Sequence, residues 1–290
     1  MVRNKILFSG QSNTFGLGLE VEFRPKYNDD EWLKENGLIL PLPREPEDVY
    51  YWKKYRWTGL VCKELGYDEI NIHDIKNIPI GGNGIQTCWM LQNKDSFSDL
   101  MDGVKYVIFE MGGIRWYDEE LHGKDSSYPN TALEIIKFLD SPPVFSEDPD
   151  GTPEYENYNT KVSQAHNWLM EMEPDIYYQE NTRRYLQLKS LYPDVTFLML
   201  KWNEWDSCDK KIKHDLIDLG GIENDAGQIL DSVHDILQRK ELCIYQSTKA
   251  FNGDYKTGEP DHHASSKGHE WVAKRVIKHI RKLEENIRFC

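Results

Sequence analysis

Three short runs of nearly unbroken apolar residues recur along the chain: Ile6 to Phe8, Val104 to Met111 (VKYVIFEM) and Val195 to Lys201 (VTFLMLK). Stretches with helical periodicity separate them. A strand that is apolar on both faces has to be covered on both faces, so the runs imply a mostly parallel sheet with helices packed on either side. The fold class is therefore α/β. A helix is expected over roughly 50–65 (YYWKKYRWTGLVCKEL), a second strand from Glu69 to Ile75, and a helix over roughly 85–100 after the loop Gly81-Gly82-Asn83-Gly84. Further helical patterns fall near 161–172, 178–191, 209–218 and 225–239, and Leu242 to Gln246 reads as a last short strand. The segment Lys267 to Ile287 is amphipathic. Trp271, Val272, Val276, Ile280, Leu283 and Ile287 share one stripe, and Lys274, Lys278 and Lys282 take another.

Residues 141–160 (SPPVFSEDPDGTPEYENYNT) are rich in Pro, Asp, Glu and Ser and read as an exposed loop. The chain is thus expected to be one domain, 1–290, with an irregular insertion around 117–160. Its net charge of −14, from 35 basic and 49 acidic residues, repels a phosphate backbone, so no nucleic-acid partner is expected. No run approaches the roughly 18 uncharged apolar residues of a membrane span. Ile6 to Phe8 is too short for the apolar core of a signal peptide, so cytoplasmic synthesis without a signal peptide is expected. The five cysteines (Cys62, Cys88, Cys208, Cys243, Cys290) have no CxxC spacing. That argues against both a disulfide framework and a structural zinc site.

Two segments carry residues suited to chemistry. The first is Phe8-Ser9-Gly10-Gln11-Ser12-Asn13-Thr14. In a parallel sheet the carboxyl ends of the strands form the rim where ligands bind. Ser12, just past the first strand, would present its hydroxyl there. A helix starting near Thr14 would aim free N–H groups at an oxyanion. The same residues also suit a plain turn and helix cap. The second segment is Pro260-Asp261-His262-His263-Ala264-Ser265-Ser266-Lys267-Gly268-His269, just before the last helix. A serine hydroxyl needs a positioned base, and the base needs a carboxylate to fix its tautomer. Asp261 and His263 supply that pair locally. Three histidines and one aspartate also admit a metal site or a capping cluster. Their spacing matches no recognised ligand pattern, so no metal and no cofactor are expected.

Taken together, Gly10-Gln11-Ser12-Asn13 and Asp261 through His269 resemble the first and last blocks of the SGNH/GDSL hydrolases. The opening GQSNTFG is also similar to that of carbohydrate O-acetylesterases in that superfamily. The resemblance implies a flavodoxin-like three-layer α/β/α sandwich with a mostly parallel sheet and insertions. It implies Ser12 as nucleophile, His263 as general base and Asp261 as its orienting partner. The family's second block, a glycine whose N–H joins the oxyanion hole, falls on Gly82, with Gly81 as the alternative.

Two departures stand against the pattern. After the third strand the family carries Gly-x-Asn-Asp, whereas this chain has Met111-Gly112-Gly113-Ile114-Arg115-Trp116. Arg115 is a candidate replacement donor, since a guanidinium binds anions more strongly than an amide. It equally suits a surface ion pair, and Asn203 is a weaker substitute. One residue, where two are usual, separates Asp261 from His263, so His262 is an alternative base. Ser265 and Gly268 follow His263 at the family's spacing. The aromatic run Tyr50, Tyr51, Trp52, Tyr55 and Trp57 suits either a core or a sugar platform. The expected activity is hydrolysis of a small ester, such as an acetyl group on a glycan, with acyl transfer not separable from it. The rival expectation is a catalytically degenerate SGNH-like chain serving a structural or host-surface-binding role with virion proteins of a phage.

Overall fold

The computed structural model describes residues 3–10, 16, 19–23, 39–40, 46–74, 99–111, 174–202, 213–244, 251–252, 259–260 and 263–288. The first strand, β1 (Lys5–Ser9), is followed by the short helix α1 (Leu19–Phe23) and strand β2 (Ile39–Leu40). Helices α2 (Pro46–Tyr55) and α3 (Trp57–Leu65) lead to β3 (Asp68–Asn71). Then come β4 (Val104–Met111), α4 (Pro174–Leu191) and β5 (Thr196–Lys201). The hairpin β6 (Ile222–Glu223) and β7 (Ile229–Leu230) precedes α5 (Val233–Arg239). Strands β8 (Phe251–Asn252) and β9 (Glu259–Pro260) lead to the last helix, α6 (Ser266–Arg288).

Among the described residues the main sheet has four strands in the order β3-β1-β4-β5, and every pairing is parallel. Numbered by succession that order is 2-1-3-4, the start of the flavodoxin-like doubly wound arrangement. Alternation along the strands divides the sheet into two covered faces. Ile6, Phe8, Tyr106, Ile108, Leu198 and Leu200 share one core with Trp57 and Val61 of α3 and with Val272, Val276 and Ile280 of α6. On the other face Phe109 and Phe197 stack, and each meets the Tyr185 ring of α4 edge-on. Three layers result, as the apolar runs imply. Two small sheets, β2-β8-β9 and the β6-β7 hairpin, stand apart from it.

Several expected elements differ in form. The helix expected over 50–65 is two helices, broken at Arg56, whose backbone is extended (φ −64, ψ 146). Its buried guanidinium bonds Glu69 and Asp74, and that tertiary demand overrides a helical pattern that reads the same on both sides. The strand expected to reach Ile75 ends at Asn71 and passes into a 3-10 turn, Ile72–Asp74. In place of a helix near 209–218 there is a 3-10 turn at Lys213–Asp215 among the described residues. The helix expected over 225–239 is the β6-β7 hairpin followed by α5. Asn224 turns the hairpin by accepting from the N–H groups of Ala226 and Gln228, both at 2.9 Å. Ser232 then caps α5, accepting from the Asp235 N–H at 3.2 Å. In the strand expected at 242–246, Cys243 makes an isolated antiparallel bridge to Ala264. The helix expected over 85–100 is described only at its end, 99–101. The helix expected near 161–172 and the insertion around 117–160 lie outside the described residues.

Of the aromatic run, Trp52 and Trp57 are buried in the core. Tyr51 and Tyr55 stack on Phe23 of α1, with centroids 5.2 and 4.1 Å away. No helix among the described residues is long and apolar enough to cross a membrane.

Candidate active site

Parallel strands all leave the sheet at one edge. At that edge β1 runs out at Ser9 and Gly10, two residues before Ser12. In sequence, β3, β4 and β5 are followed by Gly81 and Gly82, by Arg115 and by Asn203 respectively. Those residues, with Ser12, Asp261 and His262, lie outside the described residues, so their side chains have no described position. The strand ends themselves are unusual. Ser9, Asn71 and Glu110 are buried polar residues, whereas the centres of β1, β4 and β5 are apolar. Buried polar groups concentrated at one end of a sheet are a feature of ligand-binding edges.

His263 is described, in a half-buried bend just before α6. The direction of α6 fixes which edge it occupies. Near the helix C-terminus, Glu284 accepts from Lys105 and from the Tyr67 hydroxyl, both at 2.6 Å, and from the Tyr106 hydroxyl at 3.1 Å. These contacts lie where β3 and β4 begin. Its N-terminus therefore reaches the opposite, carboxyl edge, and His263 with it. The bend is held by main-chain bonds. Ile244 N–H donates to the His263 carbonyl at 2.8 Å, and Ser265 N–H donates to the Leu242 carbonyl at 2.9 Å. Ser265 caps α6 by accepting from Gly268 N–H at 3.2 Å, and its hydroxyl donates to the Leu242 carbonyl at 2.7 Å.

Gly268 is the tight point of this clamp. A Cβ there would lie 2.5 Å from the Leu242 carbonyl oxygen. Gly268→Ala is expected to destabilise the fold by about 2 kcal/mol through this overpacking. A urea midpoint unchanged from wild type would show that the bend yields at no cost.

Behind His263 lies a buried polar hub. Arg56, with no exposed surface, donates from Nε to Glu69 at 2.9 Å and from its two terminal nitrogens to Asp74 at 3.1 and 2.5 Å. Glu69 also accepts from the Thr58 hydroxyl, and Asn71 donates to Thr58 at 3.3 Å. Burial disfavours the guanidinium charge, but the bonds to Asp74 and the charges of both carboxylates outweigh it, holding the Arg56 pKa above its ordinary value. Gly16, four residues past Ser12, sits against this hub with φ +99; a Cβ there would come 3.2 Å from the Arg56 Cβ. Arg56 thus joins the segment after the first strand to the turn after the second.

His269 completes the hub. It is fully buried, and its Nδ1 accepts from the Trp57 N–H at 3.1 Å, capping α3 from another element. An N–H can only donate, so the ring proton belongs on Nε2. Burial first, then the nearby His263 and Arg56, push the His269 pKa down to about 3. It is neutral at pH 7. Its Nε2 finds no hydrogen-bond partner among the described residues.

No family's sequence pattern matches the chain, and no curated protein matches it. A solved structure described as "The active site of a carbohydrate esterase displays divergent catalytic and non-catalytic binding functions" is similar to it. The TM-score is 0.34 and the identity 12%, over 97% of this chain and 66% of that one. The chain therefore spans just under two thirds of that neighbour's length. A likeness of this degree carries no argument, and the fold class rests on the order and register of the sheet.

Arg56, the role of His269, and Glu22 of α1, whose carboxylate accepts from the Ser266 N–H, are not singled out by the sequence. Arg56 hid inside a helical pattern, and His269 stood in a polar segment with several readings. Glu22 gives no local signal. Among the described residues no three His, Cys, Asp or Glu side chains gather as metal ligands.

Proposed function

We propose that the chain is a serine ester hydrolase of the SGNH type, acting on an acetyl or similar small ester of a carbohydrate. Ser12 attacks the acyl carbon as His263 takes its proton, and Asp261 holds the imidazole. The N–H groups of Ser12 and of Gly82, or Gly81, stabilise the oxyanion, with Arg115 or Asn203 in the place of the family's asparagine. His263 then protonates the departing alcohol, and water releases the acid by the reverse sequence. No cofactor or metal takes part. The observation that supports this most is topological: the exit of β1 toward Ser12 and the clamped His263 bend share the carboxyl edge of one parallel sheet.

The Gly112-Gly113-Ile114-Arg115 segment favours a second reading. Loss of one oxyanion donor costs roughly 10²–10³ in rate. A chain that had lost catalysis would serve as a glycan-binding or structural component, with virion proteins of a phage as its partners. Labelling by a fluorophosphonate probe separates the two. For the hydrolase, wild type labels while Ser12→Ala and His263→Ala do not. A folded wild type that stays unlabelled turns the reading to binding.

A further inference from the structure

The N-terminus of α6 is tied to a part of the chain that lies close after Ser12. Glu22, on α1, accepts from the Ser266 N–H at 2.7 Å across 244 positions of sequence. Ser266 is the first residue of α6, and its N–H is one of those a helix leaves without an internal partner. The carboxylate meets it where the helix dipole favours negative charge. Ser266 is three residues from His263, and Glu22 is ten from Ser12.

The helix that carries Glu22 is itself anchored. Leu19 is fully buried, and its N–H bonds the Gly16 carbonyl at 3.2 Å. Phe23 lies flat against Tyr55, with centroids 4.1 Å apart. Gly16 in turn rests on Arg56 and Trp52. A path of contacts therefore runs from the hub through α1 to the Glu22 carboxylate and into the bend that holds His263. The ties on that bend from Leu242, Ile244 and Ser265 come from the chain's C-terminal third. The bond from Glu22 joins that bend to the N-terminal segment.

We infer that Glu22 is a positioning residue: its carboxylate sets the distance between the segment bearing Ser12 and the bend bearing His263. The inference rests on the hydrolase reading for its effect on rate and on geometry alone for its effect on His263. Near-attack geometry is sensitive, since a displacement of about 1 Å can cost 10²-fold in rate.

The test uses the full chain as wild type, Glu22→Ala and Glu22→Gln, with two readouts. One is the limiting rate of fluorophosphonate labelling and the probe concentration giving half of it. The other is the set of His263 imidazole resonances, with exposed His214 as reference. Glu22→Ala is expected to lower the limiting rate at least about tenfold while the half-saturating concentration changes little. Glu22→Gln, whose amide oxygen still accepts from Ser266, restores most of the rate. The His263 signals move in Glu22→Ala and return in Glu22→Gln, while His214 stays. A labelled wild type with Glu22→Ala unchanged in rate and in His263 signals overturns the inference and leaves the hydrolase reading standing. An unlabelled wild type removes the hydrolase reading, and the His263 signals then decide. If they are unmoved in Glu22→Ala, the positioning role falls as well.

Discussion

Between pH 7 and pH 4 the protein is expected to lose on the order of 3 kcal/mol of stability through His269 alone. The folded pKa of about 3 lies below the ordinary 6.5 of an unfolded histidine. From pH 6.5 down toward 3 the unfolded chain therefore binds a proton that the folded chain refuses. Stability is fully present above pH 6.5 and falls by about 1.4 kcal/mol per unit through that window. The cause is local. Nδ1 is committed to the Trp57 N–H, so protonation would place a cation in a fully buried site already beside His263 and Arg56. His269→Gln keeps an acceptor for Trp57 and removes the titration. Urea midpoints measured from pH 7 to pH 4 should fall steeply for wild type and by about 3 kcal/mol less for His269→Gln. Parallel curves would mean that His269 opens to water before it protonates. Glu284 adds an acid-sensitive contribution in a lower window. Burial opposes its charge, but its bonds to Lys105, Tyr67 and Tyr106 hold its pKa below the ordinary value. Its contribution is present above pH 4.5 and is lost as pH falls below that.

Replacing Arg56 by Met is expected to cost about 3 kcal/mol, in the range for breaking a buried ion pair from one side. The guanidinium has no exposed surface, while Glu69 and Asp74 are 17% and 25% exposed. The two carboxylates would lose the cation they share, although Lys53 stays 3.8 Å from Asp74 and partial exposure moderates the penalty. Arg56→Lys should recover less than half of the loss, because an ammonium cannot span Glu69 and both oxygens of Asp74 at once. Adding Glu69→Gln and Asp74→Asn to Arg56→Met should restore part of the stability, since the uncompensated charges are then gone. Urea denaturation of the three variants beside wild type checks the series. A triple variant no more stable than Arg56→Met would place the loss in packing around Gly16 and Trp52 instead.

The legible parts were those whose signal is local. The apolar runs at 104–111 and 195–201 gave β4 and β5 almost residue for residue, and the spacing of Val272, Val276 and Ile280 gave α6. Period and burial agree there, so a short window suffices. The 225–239 pattern held only from Val233 to Arg239, because Asn224 and Gly227 form a turn before it whose cue is single residues. At the candidate site, the polar segment before α6 was legible as a place of interest, and the structure describes His263 in the clamped bend that precedes α6.

By itself, the sequence determined that strands apolar on both faces must form a covered parallel sheet, and that their exits must share one edge. Only the tertiary structure decided that Arg56 breaks a helix, that His269 is a buried neutral cap, and that Glu22 meets Ser266. Each of these rests on polar groups from different elements meeting: 13 and 18 positions apart for Arg56 with Glu69 and Asp74, 212 for Trp57 and His269, and 244 for Glu22 and Ser266. A hydrophobic stripe is the sum of many residues and survives in any window that contains it. A single long-range hydrogen bond has no periodicity, and it becomes visible only when packing has brought its two ends together.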